Sequence, residues 1–273
     1  MYSDGVAGVA ERARAIAERA LEILAILPTP TLETVFMVLV SAFFACLLGF
    51  PIGVFLQVAS PSGCAPLRAP ERPDAAPSAG ETRLRFFFRA PLPHFLRTLL
   101  FHFLRALRAA ASQLVNLFRS IPFIILMILL IPLTRAIVGT SIGPVAAIVP
   151  LSLAAAPFVA RVTEAALSEV DAGVITAAKA MGSTRLQIVR KALVPEAMPA
   201  LVSGLALTII NLIAYSAMAG AIGGRGLGDL AVRYGAHRFE FDVMIGTVVA
   251  ILILVQAVQF AGTFVSRRLL SKR

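Results

Sequence analysis

The sequence predicts an all-α integral membrane protein with five transmembrane helices and an extra amphipathic helix at its N-terminus. Of its 273 residues, 58% are hydrophobic and only 15% charged, where a soluble domain carries about 25% charged residues. The charges collect between apolar runs instead of alternating with apolar residues on amphipathic faces. Five of those runs reach the roughly 20 residues that a helix needs to cross the hydrocarbon: 32–58, 113–138, 143–166, 200–222 and 243–266.

Taken in order, residues 1–30 form an N-terminal extension. Val6, Val9, Ala13, Ile16, Ala20, Leu24 and Leu27 recur at steps of three and four, the pattern of a surface-lying helix. It does not read as a signal peptide, because Arg12, Arg14 and Arg19 are matched by Glu11, Glu18 and Glu22. The first span occupies 31–58. Residues 59–112 form an insert that opens with PSGCAPLRAPERPDAAPSAGE, a Pro- and Ala-rich linker. Its end, 94–111, is apolar but holds Arg97, Arg105 and Arg108, and each Arg costs about 2.5–3.5 kcal/mol at mid-membrane. With His94 these share one helical face, which predicts an interfacial helix. The core, 113–268, contains the other four spans. Pro122 and Pro132 in the second and Pro150 and Pro157 in the third predict kinks satisfied by neighbouring helices. Small residues in AGAIGG (219–224) predict close helix approach. A basic tail, 269–273, closes the chain.

Five spans put the termini on opposite sides. The C-terminal SRRLLSKR has four cations and no acid, which predicts a cytoplasmic C-terminus and an N-terminus outside. Segments 59–112 and 167–199, then cytoplasmic, hold eight and four Lys or Arg, against three each in the outside N-terminal segment and 223–242. The net charge of +10 is thereby accounted for by membrane topology, and no nucleic-acid partner is expected. Two cysteines, Cys46 and Cys64, and three scattered histidines, His94, His102 and His237, give no disulfide framework and no metal site. No G-x-x-x-x-G-K-[ST] occurs, so no nucleotide cofactor is expected on this chain. GGRGLG (223–228) lacks the phosphate-binding lysine and reads as a flexible turn at the outer mouth. No nucleophile and base lie in neighbouring spans, and no carboxylate pair sits mid-span as a proton relay. The chain reads as a transport subunit without catalytic residues.

The apolar pattern is interrupted at TAAKAMGSTRLQIVRKALVPEAMP (176–199). Asp171 can cap a short helix 172–181, with Gly182 as its left-handed stop. Thr184 and Gln187 fit a capping box opening a second helix. That helix has an apolar side of Leu186, Val189 and Leu193, with Ile188 and Ala192 beside them, is flanked by Arg185, Arg190 and Lys191, and ends before Pro195. From charge alone, an ordinary basic cytoplasmic loop is the favoured reading.

The spacing resembles the signature of binding-protein-dependent ABC importer permeases, E-A-A, three residues, Gly, nine residues, I-x-L-P. Ala177, Ala178, Gly182 and Pro195 match it, while Thr176, Ala192 and Val194 replace its Glu, Ile and Leu. The strings NLFRSIPFIIL (116–126), RAIVGTSIG (135–143), AAIVPL (146–151), AAPFVAR (155–161), QIVRKALVPEAMPALV (187–202), YSAMAGAIGGRGLG (215–228) and QFAG (259–262) resemble the methionine-uptake branch of that family. The resemblance covers the first span and 113–268; residues 1–30 and 60–111 go beyond it.

The resemblance implies the type I ABC importer fold and a bacterial inner-membrane homodimer importing methionine or a close relative. It also implies a cytoplasmic pair of ATPase subunits, which would bind the ATP and Mg, and an extracytoplasmic substrate-binding protein. It makes 167–199 the ATPase-coupling loop, with Ala177, Ala178, Met181, Gly182, Arg185, Ile188, Arg190, Lys191, Pro195 and Glu196 as its site residues. It places Asn211, Tyr215, Ser216 and Met218 at the translocation pathway and gate. Arg119, Arg135 and Arg161 sit near span ends, where long side chains snorkel, and Glu164 can pair with Arg161. An ATP-independent transporter or channel and a membrane scaffold are the alternative readings.

Overall fold

A computed structural model describes Arg14 and residues 17–59 and 94–271, and every regular element among them is helical. Helix α1, Pro28–Val58, is preceded by helical residues 17–26. The Leu27 N–H donates to the Ile23 carbonyl (3.2 Å) and the Thr31 N–H to the Leu27 carbonyl (3.1 Å), carrying the ladder across a bend. The amphipathic helix expected at the N-terminus is therefore, where described, the first turns of one run, Ala17–Val58. Its positions Val6, Val9, Ala13 and Ile16 lie outside the described residues, as does the linker 60–93.

The second span departs from expectation. The interfacial segment and the start of 113–138 form one helix, α2, His94–Ser120. The rest divides into α3, Phe123–Leu129, and α4, Ile131–Val138. Arg105–Ser120 and Phe123–Leu129 are bent by 103°. Pro122, at φ −55° and ψ 132°, has no N–H to give and disfavours helical geometry at Ile121, so the helix ends there. Pro132 sits in the first turn of α4, where its missing N–H costs nothing. By contrast α5, Pro144–Ser168, stays helical through Pro150 and Pro157.

Next come α6, Ala172–Ala180, and the single turn α7, Arg185–Ile188. A π turn, Val189–Leu193, then leads straight into α8, Val194–Ala219. Pro195 was expected to end this helix, yet Val194 keeps helical angles (φ −65°, ψ −47°) and its N–H bonds back to the Val189 carbonyl. The wider turn shifts the hydrogen-bond register just ahead of Pro195, and the proline falls in the first turn of α8, where it is tolerated. A second π turn, Gly220–Gly224, the short α9, Gly226–Leu230, a third π turn, Ala231–His237, and α10, Phe241–Leu270, complete the chain. Among the described residues, four helices are long and apolar enough to cross a membrane, and a fifth span exists if the bent pair crosses as one.

Backbone contacts divide the chain into two units. The first takes in residues to Ala45, Ile121–Ala155 and Ala206–Phe264, and the second Cys46–Ser120, Ala156–Leu205 and the chain from Val265. In the second, α1 packs directly on α5. A Cβ on Gly49 would lie 2.4 Å from the Ala156 carbonyl oxygen, and one on Gly53 would lie 2.5 Å from that of Ala160. Two glycines one turn apart thus face two alanines one turn apart, the small-residue seam that lets membrane helices touch backbone to backbone.

Candidate coupling and pathway sites

The loop after α5 is built by local sequence. The Asp171 side chain accepts the Gly173 N–H at the start of α6, satisfying one of the helix's free donors. At its end Gly182 adopts φ +77°, which glycine reaches without steric cost. There the Gly182 N–H donates to the Lys179 carbonyl (3.0 Å) and the Ser183 N–H to that of Ala178 (3.1 Å). The capping box closes reciprocally: the Thr184 N–H donates to Gln187 Oε1 (2.8 Å) and the Gln187 N–H to Thr184 Oγ1 (3.4 Å).

This elbow sits on its own apolar core. Ala166 and Leu167 of α5, Ala178 of α6, Ile188 and Leu193 around the π turn and Ala197 of α8 form one buried cluster. The expected apolar side needs correcting at Leu186, which is 67% exposed while Ile188 is buried. Ile188 and Leu193 are five apart, and the i→i+5 register of the π turn brings them toward the same side. Leu186 is exposed, as are Met181, at 78%, and Val174. Ala177, Arg190, Lys191 and Pro195 are also exposed, Ala178 is buried and Glu196 is half-buried. The elbow therefore exposes apolar side chains, Met181 and Leu186 among them, as well as the cations Arg190 and Lys191. The Arg185 side chain lies outside the described residues.

Next to this core the structure adds a charged cluster, only part of which is legible in the spacing of Arg161 and Glu164. Arg161 pairs with Glu164 at 2.6 Å, as its spacing suggested. Its guanidinium also donates to the Ser112 hydroxyl (2.7 Å) and carbonyl (3.1 Å) and to Asn116 Oδ1 (2.8 Å). Arg108 reaches the same carboxylate at 3.5 Å and donates from Nε to the Leu56 carbonyl at 2.9 Å. The spacing Arg108, Ser112, Asn116, a polar stripe at four-residue steps on α2, was the available signal.

In the first unit, Asn211, Tyr215 and Met218 follow one another at steps of four and three along α8, which is one helical face. Asn211 and Tyr215 are half-buried and Met218 is exposed. The Tyr215 ring stacks on Phe123 of α3, centroids 4.8 Å apart at 9°. Ser216 is not on this face: it is buried and its hydroxyl donates to the Ile213 carbonyl of its own helix at 2.7 Å.

GGRGLG is a packed knot and not a flexible turn. A Cβ on Gly220 would lie 2.4 Å from the Asp229 nitrogen, and one on Gly228 would lie 2.2 Å from the Ala217 carbonyl oxygen. Helix α1 caps α9, because Glu33 accepts the Gly226 N–H (3.0 Å) and Thr34 Oγ1 accepts the Leu227 N–H (2.9 Å). The Gly143 N–H donates to the Gly223 carbonyl at 2.9 Å. Glu33 and Thr34 were missed because they lie almost two hundred residues from the donors they satisfy.

Residues 91–272 match the family described as binding-protein-dependent transport system inner membrane component. The chain belongs to that family. A relative from Vibrio cholerae, named a probable D-methionine transport system permease protein MetI, is 40% identical over 89% of this chain and 92% of its own length. The D-methionine transport system permease protein MetI of Escherichia coli K12 is 45% identical over 69% of this chain and 70% of its own length. Among solved structures, an inward-facing conformation of the MetNI methionine ABC transporter superposes with a TM-score of 0.72 at 41% identity, covering 91% of this chain and 98% of that one. Family membership gives the all-α type I permease architecture.

Proposed function

We propose that this chain is the permease subunit of an ATP-driven methionine importer. A second copy of the chain completes the pathway. A separate pair of cytoplasmic ATPase subunits binds ATP and Mg, and an extracytoplasmic binding protein delivers the cargo. Transport is alternating access, each partner favouring one of two conformations. The cargo reading rests on the relatives named for methionine transport.

The observation that carries the reading is the elbow. A stiff pair of short helices, capped at Asp171 and Thr184 and turned at Gly182, exposes Met181 and Leu186. Exposed leucine and methionine side chains gain about 1.5–3 kcal/mol each on full burial, which suits a cytoplasmic protein groove. Because α5, α6 and α8 share one core beneath the elbow, a push on α6 loads the helices on both sides. Asn211, Tyr215 and Met218 line the pathway, with Ser216 packed behind them.

The test is co-purification from native membranes in mild detergent. An ATPase of the P-loop type is expected at about one copy per permease, as a subunit pair on a permease dimer requires. Replacing Met181 and Leu186 together by Asp is expected to reduce its recovery by about 100-fold, from the lost burial, with the permease still in the membrane. Reversing charge at Arg190 and Lys191 is expected to weaken recovery more mildly. Full recovery with the doubly substituted elbow would send the docking surface elsewhere; no ATPase at all would favour an ATP-independent transporter.

A further inference from the structure

We propose that Glu164 is a positioning residue for transport, clasping α2 to α5 so that α1 and α2 move with the ATPase-driven elbow. The proposal rests on the coupling reading above and extends it to two helices that the elbow's core does not contain, apart from Val54 of α1 at its edge.

The geometry is that of one carboxylate shared by two guanidiniums from different helices. Glu164 meets Arg161 of α5 at 2.6 Å and Arg108 of α2 at 3.5 Å. Arg161 then fixes α2 at two further points one turn apart, Ser112 and Asn116. Arg108 fixes the end of α1 through the Leu56 carbonyl, where Leu56 and Ala160 are fully buried together. All three charged side chains are a quarter exposed or less, so solvent screens their attraction weakly. Arg161 has every contact it needs in this arrangement, and sliding α2 along α5 breaks at least four polar contacts at once.

Position in the chain gives the clasp its role. Glu164 lies four residues before the end of α5, and Ala166 and Leu167 just beyond it belong to the core under the elbow. Displacement of α6 thus reaches Glu164 through one turn of continuous helix. Helix α2 is the piece that bends 103° into α3, the helix whose Phe123 stacks on Tyr215. The clasp supplies the hydrogen-bonded link between α2 and α5, and Arg119 of α2 adds a looser contact over the Phe158 ring of α5, 6.0 Å from its centroid.

The experiment uses the full complex of permease and ATPase in proteoliposomes, comparing wild type, Glu164→Gln, Glu164→Asp and the double variant Ser112→Ala/Asn116→Ala. Hydrogen exchange is followed in α6 and α2 before and after trapping with ATP and vanadate, together with ATP hydrolysis and methionine uptake. In wild type, both helices are expected to change exchange on trapping. In Glu164→Gln, α6 still responds and α2 does not, and methionine taken up per ATP falls about fivefold or more while hydrolysis persists, a loss in the range of coupling mutations. Glu164→Asp restores the ratio. Loss of the carboxylate leaves two arginines short of a partner and can impair folding. The double variant, which keeps every charge, is expected to lower the ratio by about twofold. An α2 response and transport ratio unchanged in both Glu164→Gln and the double variant would overturn the clasp. If α6 of wild type does not respond to trapping, the coupling reading falls and the clasp falls with it. The exchange readout needs no cargo, so a different substrate does not obscure it.

Discussion

Arg225, with Phe239 one of two non-glycine residues at positive φ among the described residues, adopts φ +63° and ψ −163°, a region that is essentially glycine's and costs about 1–3 kcal/mol to others. Its ion pair with Glu33 is 3.7 Å long and the Arg side chain is 61% exposed, so the pair returns at most about 1 kcal/mol. Arg225→Gly is therefore expected to hold or raise the thermal midpoint in detergent, followed by circular dichroism, and Arg225→Val to lower it. A lower midpoint for the glycine variant would mean the ion pair outweighs the strain. The neighbouring Thr34 argues the opposite way. It is buried, as is Leu227, and its hydroxyl accepts the Leu227 N–H. Thr34→Val keeps the shape but strands that donor, and is expected to cost about 1–3 kcal/mol. An unchanged midpoint would show that the N–H finds another acceptor.

At the scale of elements, what was legible was what is local. Asp171, Gly182 and the Thr184–Gln187 box were readable because a cap and its donor lie within a few residues of each other. The long apolar runs were readable by length alone, and four of the five became helices of membrane-spanning length. The proline breaks were not. Pro51, Pro150, Pro157 and Pro199 all remain inside helices, and Pro122 alone separates two strongly bent ones. Sequence gives each the same missing N–H; neighbouring helices decide which is tolerated. The π turn at 189–193 was likewise unreadable, since one wider turn leaves no mark on an apolar pattern, and with it went the direction of Leu186 and the continuation through Pro195. The α1–α5 seam was present in the sequence as Gly49 and Gly53 but had no visible partner. It can be tested directly: Gly53→Ala places a methyl 2.5 Å from a backbone oxygen, where no rotamer change relieves it. Such overpacking costs about 1–3 kcal/mol, seen as a lower thermal midpoint. An unchanged midpoint would deny the close seam.

For the whole molecule the open quantity is parity: four crossings put the termini on one side, five on opposite sides. The charge rule predicts five. The first unit gathers the segments that the charge rule assigns outside: Arg19 pairs with Glu240 at 2.6 Å, Glu33 caps Gly226, and Gly143 bonds to Gly223. The second gathers segments assigned to the cytoplasm: the elbow core, and Ser266 near the C-terminus, whose hydroxyl donates to the Pro199 carbonyl at 3.0 Å. Five crossings would make the bent α2–α3 pair, continued by α4, a span. The sorting also agrees with cation density, because Lys and Arg hold a peptide on the cytoplasmic face. With Cys46 and Cys64 replaced by Ala, a single cysteine at Phe239 is expected to react with a membrane-impermeant thiol reagent in intact cells. One at Ser271 is expected to react only after the membrane is opened, as is one at Met181 in the permease without its ATPase. A reporter ahead of Arg14 decides parity: labelled from outside, it gives five crossings and makes the bent pair a span, whereas labelled only from inside, it gives four and leaves α2 and α3 on the membrane face where the chain enters them.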